Sequence, residues 1–67
     1  MSSSELRYLI TANNLAKELQ SVKQTDIANR LHVTKVSAYN AIERLREKEY
    51  IEKNDRKIVL TDRGREV

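Results

Sequence analysis

Two helical apolar patterns stand back to back between Thr25 and Leu45, with only His32 and Val33 left to turn the chain between them. Thr25 is placed to cap a short helix over Asp26 to Leu31, and Asp26 in its first turn suits the helix dipole. Thr34 is placed to cap a longer helix from Lys35 to about Lys48, in which Ala38, Ala41, Ile42 and Leu45 recur at i, i+3, i+4 and i+7. So short a turn forces the helices to cross closely. Ile27, Ala28, Leu31 and Val33 should meet Ala38, Ile42 and Leu45, with Ala28 small at the crossing. Such turns often contain glycine. His32 takes that place here, and histidine accepts a left-handed backbone better than most residues.

The rest of the chain can only complete one small core. It has 67 residues, one Gly and neither Pro nor Cys, so no disulfide or thiolate-bound metal can staple it. A domain of this size buries only about 60% of the surface its unfolded chain exposes. With no repeat, and no Gly, Pro or Ser-rich stretch after Ser4, residues 1–67 read as a single domain. Thirteen basic and ten acidic residues leave a net charge of +3, enough for a local positive face but not for a polybasic tail. No apolar run approaches the roughly 20 residues of a membrane span, and Met1-Ser2-Ser3-Ser4 lacks the features of a secretion signal. The expectation is a cytoplasmic protein with no membrane partner.

Ser2 and Glu5 have capping-box spacing ahead of a helix running from Leu6 to Gln20. Tyr8, Ala12, Leu15, Ala16 and Leu19 fall on one stripe of it, with Leu9 at the edge. Leu6 and Ile10 lie off that stripe, as incidental exposure or as a contact for something outside the chain. Ser21-Val22-Lys23 reads as a connector or a short strand. Glu49–Lys53 and Lys57–Thr61 are β-prone runs around Asn54-Asp55-Arg56, which has turn chemistry. Thr61 can cap a last helix from Asp62 that the end of the chain at Val67 would interrupt.

Helix, helix-turn-helix and hairpin, in that order, predict a mainly α winged helix-turn-helix: three helices plus a wing and a truncated C-terminal helix. The helix-turn-helix would cover about 25–48 and the wing about 49–61. The leading half of a recognition helix enters the major groove and should be polar and free of carboxylates. Thr34, Lys35, Ser37, Tyr39 and Asn40 meet that requirement, while Glu43, Glu47 and Glu49 arrive only later. Asn40 has the amide for bidentate pairing with adenine, Lys35 suits guanine or phosphate, and Thr34 and Ser37 suit base edge or backbone. The Tyr39 hydroxyl can meet a phosphate. Arg56 and Lys57 at the wing, with Lys53 across the hairpin, suit phosphate or the minor groove, although Asp55 weakens the charge and a solvated turn would look the same. Arg44, Arg46 and Lys48 flank the helix, where Glu43 and Glu47 also offer them intrahelical partners.

Together Thr25-Asp26-Ile27-Ala28-Asn29-Arg30-Leu31, Val33-Thr34-Lys35-Val36-Ser37, Ile42-Glu43-Arg44-Leu45 and Leu60-Thr61-Asp62-Arg63-Gly64 resemble the N-terminal domain of iron- and manganese-dependent (DtxR-like) repressors. MarR-like winged regulators share the ending and are next nearest. The resemblance implies double-stranded DNA as partner, a repressor role, and a homodimer formed through a further C-terminal domain, this domain alone being monomeric. It also puts the family's first-helix metal-ligand positions at about Arg7 and Ile10, whose side chains cannot bind Mn²⁺ or Fe²⁺. No cofactor is expected in this chain, and Mn or Fe would need ligands from a longer parent protein. His32, with no Cys and no second His, makes no metal site. Without a Cys nucleophile, a Gly-rich phosphate loop or a Ser-His-acid spacing, no enzyme is expected. The competing reading is a protein-interaction module using the Leu6 and Ile10 face.

Overall fold

The computed structural model describes residues 2–66. Its elements are α1 (Ser3–Glu18), β1 (Val22–Lys23), α2 (Gln24–Leu31), α3 (Lys35–Glu47), β2 (Ile51–Asn54), β3 (Lys57–Leu60) and α4 (Asp62–Arg65). Four helices and a three-stranded antiparallel sheet of order β1-β3-β2 make a winged helix-turn-helix. The expected interruption of the last helix at Val67 lies outside the described residues.

Local chemistry accounts for most boundaries. The Ser2 hydroxyl accepts from Glu5 N–H at 3.1 Å to start α1, Thr34 does the same for Ser37 N–H at 3.1 Å at α3, and Thr61 for Gly64 N–H at 3.1 Å at α4. His32 ends α2 in the left-handed region (φ 56°), with its N–H on Asn29 C=O and the Val33 N–H on Ala28 C=O. Glu49 ends α3 in the same way (φ 65°), with its N–H on Arg46 C=O and the Tyr50 N–H on Leu45 C=O. The register Asn54↔Lys57 leaves a two-residue hairpin loop, Asp55-Arg56, with both residues at positive φ (52° and 68°), the backbone of a type I′ turn.

Four expectations are corrected. Thr25 does not cap α2: the helix begins at Gln24, because β1 pairing holds Lys23 extended and the Asp26 carboxylate reaches back to accept its N–H at 2.8 Å. The first helix stops at Glu18 rather than Gln20, since Leu19 turns extended to carry Val22 into the sheet opposite Ile58. Its buried face is also rotated: Leu9 is central, while Ala16 and Leu19 are exposed, because α1 must cover the sheet as well as α2 and α3. Val33 lies largely outside the core, its backbone being used to close α2.

The core joins Tyr8, Leu9, Ala12 and Leu15 of α1 to Ile27 and Ala28 of α2 and to Ala38, Ala41, Ile42 and Leu45 of α3. Val22, Ile51, Ile58 and Leu60 close it from the sheet. Glu5 is buried with them, and its carboxylate takes the Lys48 ammonium at 2.6 Å, tying the start of α1 to the end of α3.

Candidate nucleic-acid interface

With Ala38, Ala41, Ile42 and Leu45 turned into the core, helical periodicity puts Val36, Asn40, Glu43 and Glu47 on the opposite side of α3. Lys35, Tyr39 and Arg46 flank that side on one edge, Ser37 and Arg44 on the other. The leading half of this surface holds no carboxylate and includes Val36, which is 69% exposed. Sequence reading missed Val36, although a valine off the buried stripe was the available signal. A branched methyl pair in that place is suited to contact with thymine C5-methyl groups.

The predicted contact residues fare differently. Lys35, Tyr39 and Asn40 are exposed on the protruding face. Thr34 is exposed too, but its hydroxyl is spent twice, accepting from Ser37 N–H and donating to Ser37 Oγ at 3.0 Å. That leaves the Ser37 hydroxyl proton as the one the pair can offer outward. Lys35, Arg44, Arg56 and Lys57 have no carboxylate partner among the described residues.

Lys53 departs from its expected place. Strand alternation sets it on the helix side of the sheet with Ile51 and its cross-strand neighbour Ile58, and away from Lys57. There its ammonium pairs with Glu43 at 2.9 Å and lies 4.8 Å from the centre of the Tyr39 ring. Arg46, on the next turn of α3, binds the same carboxylate at 2.6 Å. Lys53 is therefore a strap between wing and helix, its ammonium held by Glu43.

A cleft of about 500 Å³ opens between the start of α2 and the wing, lined by Lys23, Gln24, Thr25, Lys53, Arg56 and Ile58. Lys23 also pairs across the strands with Lys57, which is outside the cleft lining, so two like charges stand side by side on the sheet, an arrangement that favours an anion nearby. In the sequence Lys23 reads only as a connector residue, because nothing but the register reveals Lys57 as its neighbour. Among the described residues, no three His, Cys, Asp or Glu side chains gather as a metal would require, and no helix is long and apolar enough to cross a membrane.

Arg46 and then Lys53 hold the Glu43 carboxyl down at about 2; Lys48 lowers Glu5 and Arg30 lowers Glu18. Carboxylates depressed in the folded state contribute stability above the unfolded value of 4.5 and lose it as pH falls through their folded values. Melting temperature should therefore drop between pH 4.5 and about 2, and a Glu43→Gln variant should drop less steeply over that interval. Melting curves at half-unit pH steps check this, and parallel profiles for the two proteins would contradict it.

Residues 6–65 match the family described as the Crp-like helix-turn-helix domain. The crystal structure of a hypothetical protein from Sulfolobus solfataricus superposes with a TM-score of 0.88 at 24% identity, over 98% of this chain and 51% of that one. At that identity the likeness is one of fold, and this chain spans about half the length of that protein. No curated protein matches the chain.

Proposed function

The chain belongs to the Crp-like helix-turn-helix domain family, and on that premise we propose that it is the DNA-reading domain of a transcription regulator. In this reading α3 enters the major groove of double-stranded DNA, while Arg56 and Lys57 of the wing and Lys23 at the foot of α2 meet phosphates. One observation carries it: the protruding face of α3 presents Val36, Tyr39 and Asn40 with Lys35 beside them and no carboxylate in its first two turns. Asn40 would read adenine and Val36 a thymine methyl, leaving Lys35 for guanine or phosphate. Arg56 projects from a backbone conformation unusual for a side chain larger than glycine, at the tip where a wing meets DNA.

The finer assignments are part of the same proposal. A domain that occupies its site acts most simply by occlusion, which favours a repressor. Tight binding would come from a homodimer reading half-sites about 34–36 Å apart through a dimerising segment supplied outside this domain. The likeness to metal-dependent repressors extends to the reading head only, since Arg7 and Ile10 stand at the ligand positions that likeness implies. Cytoplasmic residence follows from a chromosomal target.

Selection from a random duplex pool tests the reading. Asn40→Ala should flatten base preference at one position, a loss of about 1–3 kcal/mol. Lys35→Ala or Arg56→Ala should weaken all sequences alike and shallow the salt dependence by roughly one unit. The competing protein-interaction reading rests on Leu6 and Ile10, 37% and 48% exposed on α1. Amide shifts induced by duplex DNA around Lys35 to Asn40 support DNA reading; silence there and no salt-dependent binding would sink it.

A further inference from the structure

Glu43 stands on the outward side of α3, one turn past Asn40 and beside the wing. Its carboxylate accepts from Arg46 Nη2 at 2.6 Å and Nε at 3.2 Å, and pairs with Lys53 Nζ at 2.9 Å. Lys53 is further held by the Tyr39 ring. One carboxylate thus occupies two cations from two elements, at the rim of the surface that would face DNA. Arg44, Arg56, Lys57 and Lys35 nearby have no such partner among the described residues. Attraction of unpaired cations to phosphate is indifferent to sequence and grows with each counterion released. Specificity is a difference of affinities, so it rises when the indifferent part is trimmed.

We propose that Glu43 is a specificity-determining residue that withholds Lys53 and Arg46 from the phosphates, keeping sequence-independent binding weak so that the Val36 and Asn40 contacts decide where the domain sits. The inference rests on the DNA-reading function above. Glu43 also presents its own negative charge to the phosphates, which adds to the restraint. Neither role needs Glu43 to touch a base.

The test uses the full chain and a mixed-sequence 20-base-pair duplex, with binding followed by fluorescence anisotropy from low to moderate salt. Glu43→Gln should bind this duplex about tenfold more tightly at low salt, with the slope of log K against log salt steeper by roughly one to two units as Lys53 and Arg46 become available. Adding Lys53→Gln to it should return about one unit of slope. Lys53→Met alone, which leaves Glu43 to Arg46, should keep the wild-type slope, because Lys53 holds no phosphate in the wild type. Circular dichroism and melting establish that each variant is folded. Weaker binding by Glu43→Gln, an unchanged slope, or a loss of about one unit in Lys53→Met would overturn the proposal. Wild-type protein that shows no salt-dependent binding would instead remove the DNA reading beneath it.

Discussion

A Gly64→Ala variant should melt roughly 10–20 °C below the wild type, corresponding to a loss of about 3 kcal/mol. Gly64 is the single glycine of the chain, and it lies in a right-handed helical turn where its freedom at positive φ is not used. Close approach is the reason for it: an added Cβ would overlap the Tyr50 carbonyl oxygen and come within 3.0 Å of the carbonyl carbon. Those atoms are backbone, so no rotamer change relieves the clash. The same carbonyl accepts the Thr61 N–H at 3.1 Å and the Thr61 hydroxyl at 3.0 Å, and Thr61 Oγ1 caps α4. Pushing α4 away would loosen the corner where β3 ends and disturb the strand end opposite Ile51. Thermal melting measures the loss. A shift of only a few degrees would mean that α4 moves off Tyr50 at little cost.

Ile42→Ala should cost about 2–5 kcal/mol in urea unfolding, against about 0.5–1.5 for Ile42→Val. Ile42 is 1% exposed on the face by which α3 packs against α1 and α2. A domain of 67 residues commands only roughly 3–10 kcal/mol in total. The alanine variant would therefore stand near the threshold of folding, and DNA binding would fall with the folded fraction rather than through any lost contact. A loss equal to that of the valine variant would show that the core collapses around the gap.

Much of this was legible in the linear chain. Ser2, Thr34 and Thr61 each precede a helix whose N–H groups they satisfy, His32 takes the left-handed turn, and the i, i+3, i+4, i+7 run of α3 faces inward as its spacing requires. What failed did so where a through-space neighbour outbid a local preference. Thr25 is a good cap by type, yet β pairing of Lys23 begins α2 one residue before it. Glu5 keeps its capping spacing and its Oε1 accepts from Ser2 Oγ at 3.2 Å, but its Oε2 is turned to Lys48, far along the chain.

The candidate surface divides on the same line. The polar, acid-free start of α3 is a property of sequence order, and Lys35, Tyr39 and Asn40 could be named from it. The freedom of a cation could not, because a charge is free or spent according to what lies within a few ångströms, and that distance belongs to the packing. Lys53 and Lys57 look alike in the chain, yet alternation along the strands and the approach of α3 give one to Glu43 and leave the other beside Lys23. Helix identity, the caps at Ser2, Thr34 and Thr61 and the inward stripe of α3 were determined by the sequence itself, since they depend on groups within about one helical turn. Which basic residues remain to meet a phosphate was decided only when the wing folded against the helix, because ion pairing acts between elements and has no period that a chain can display.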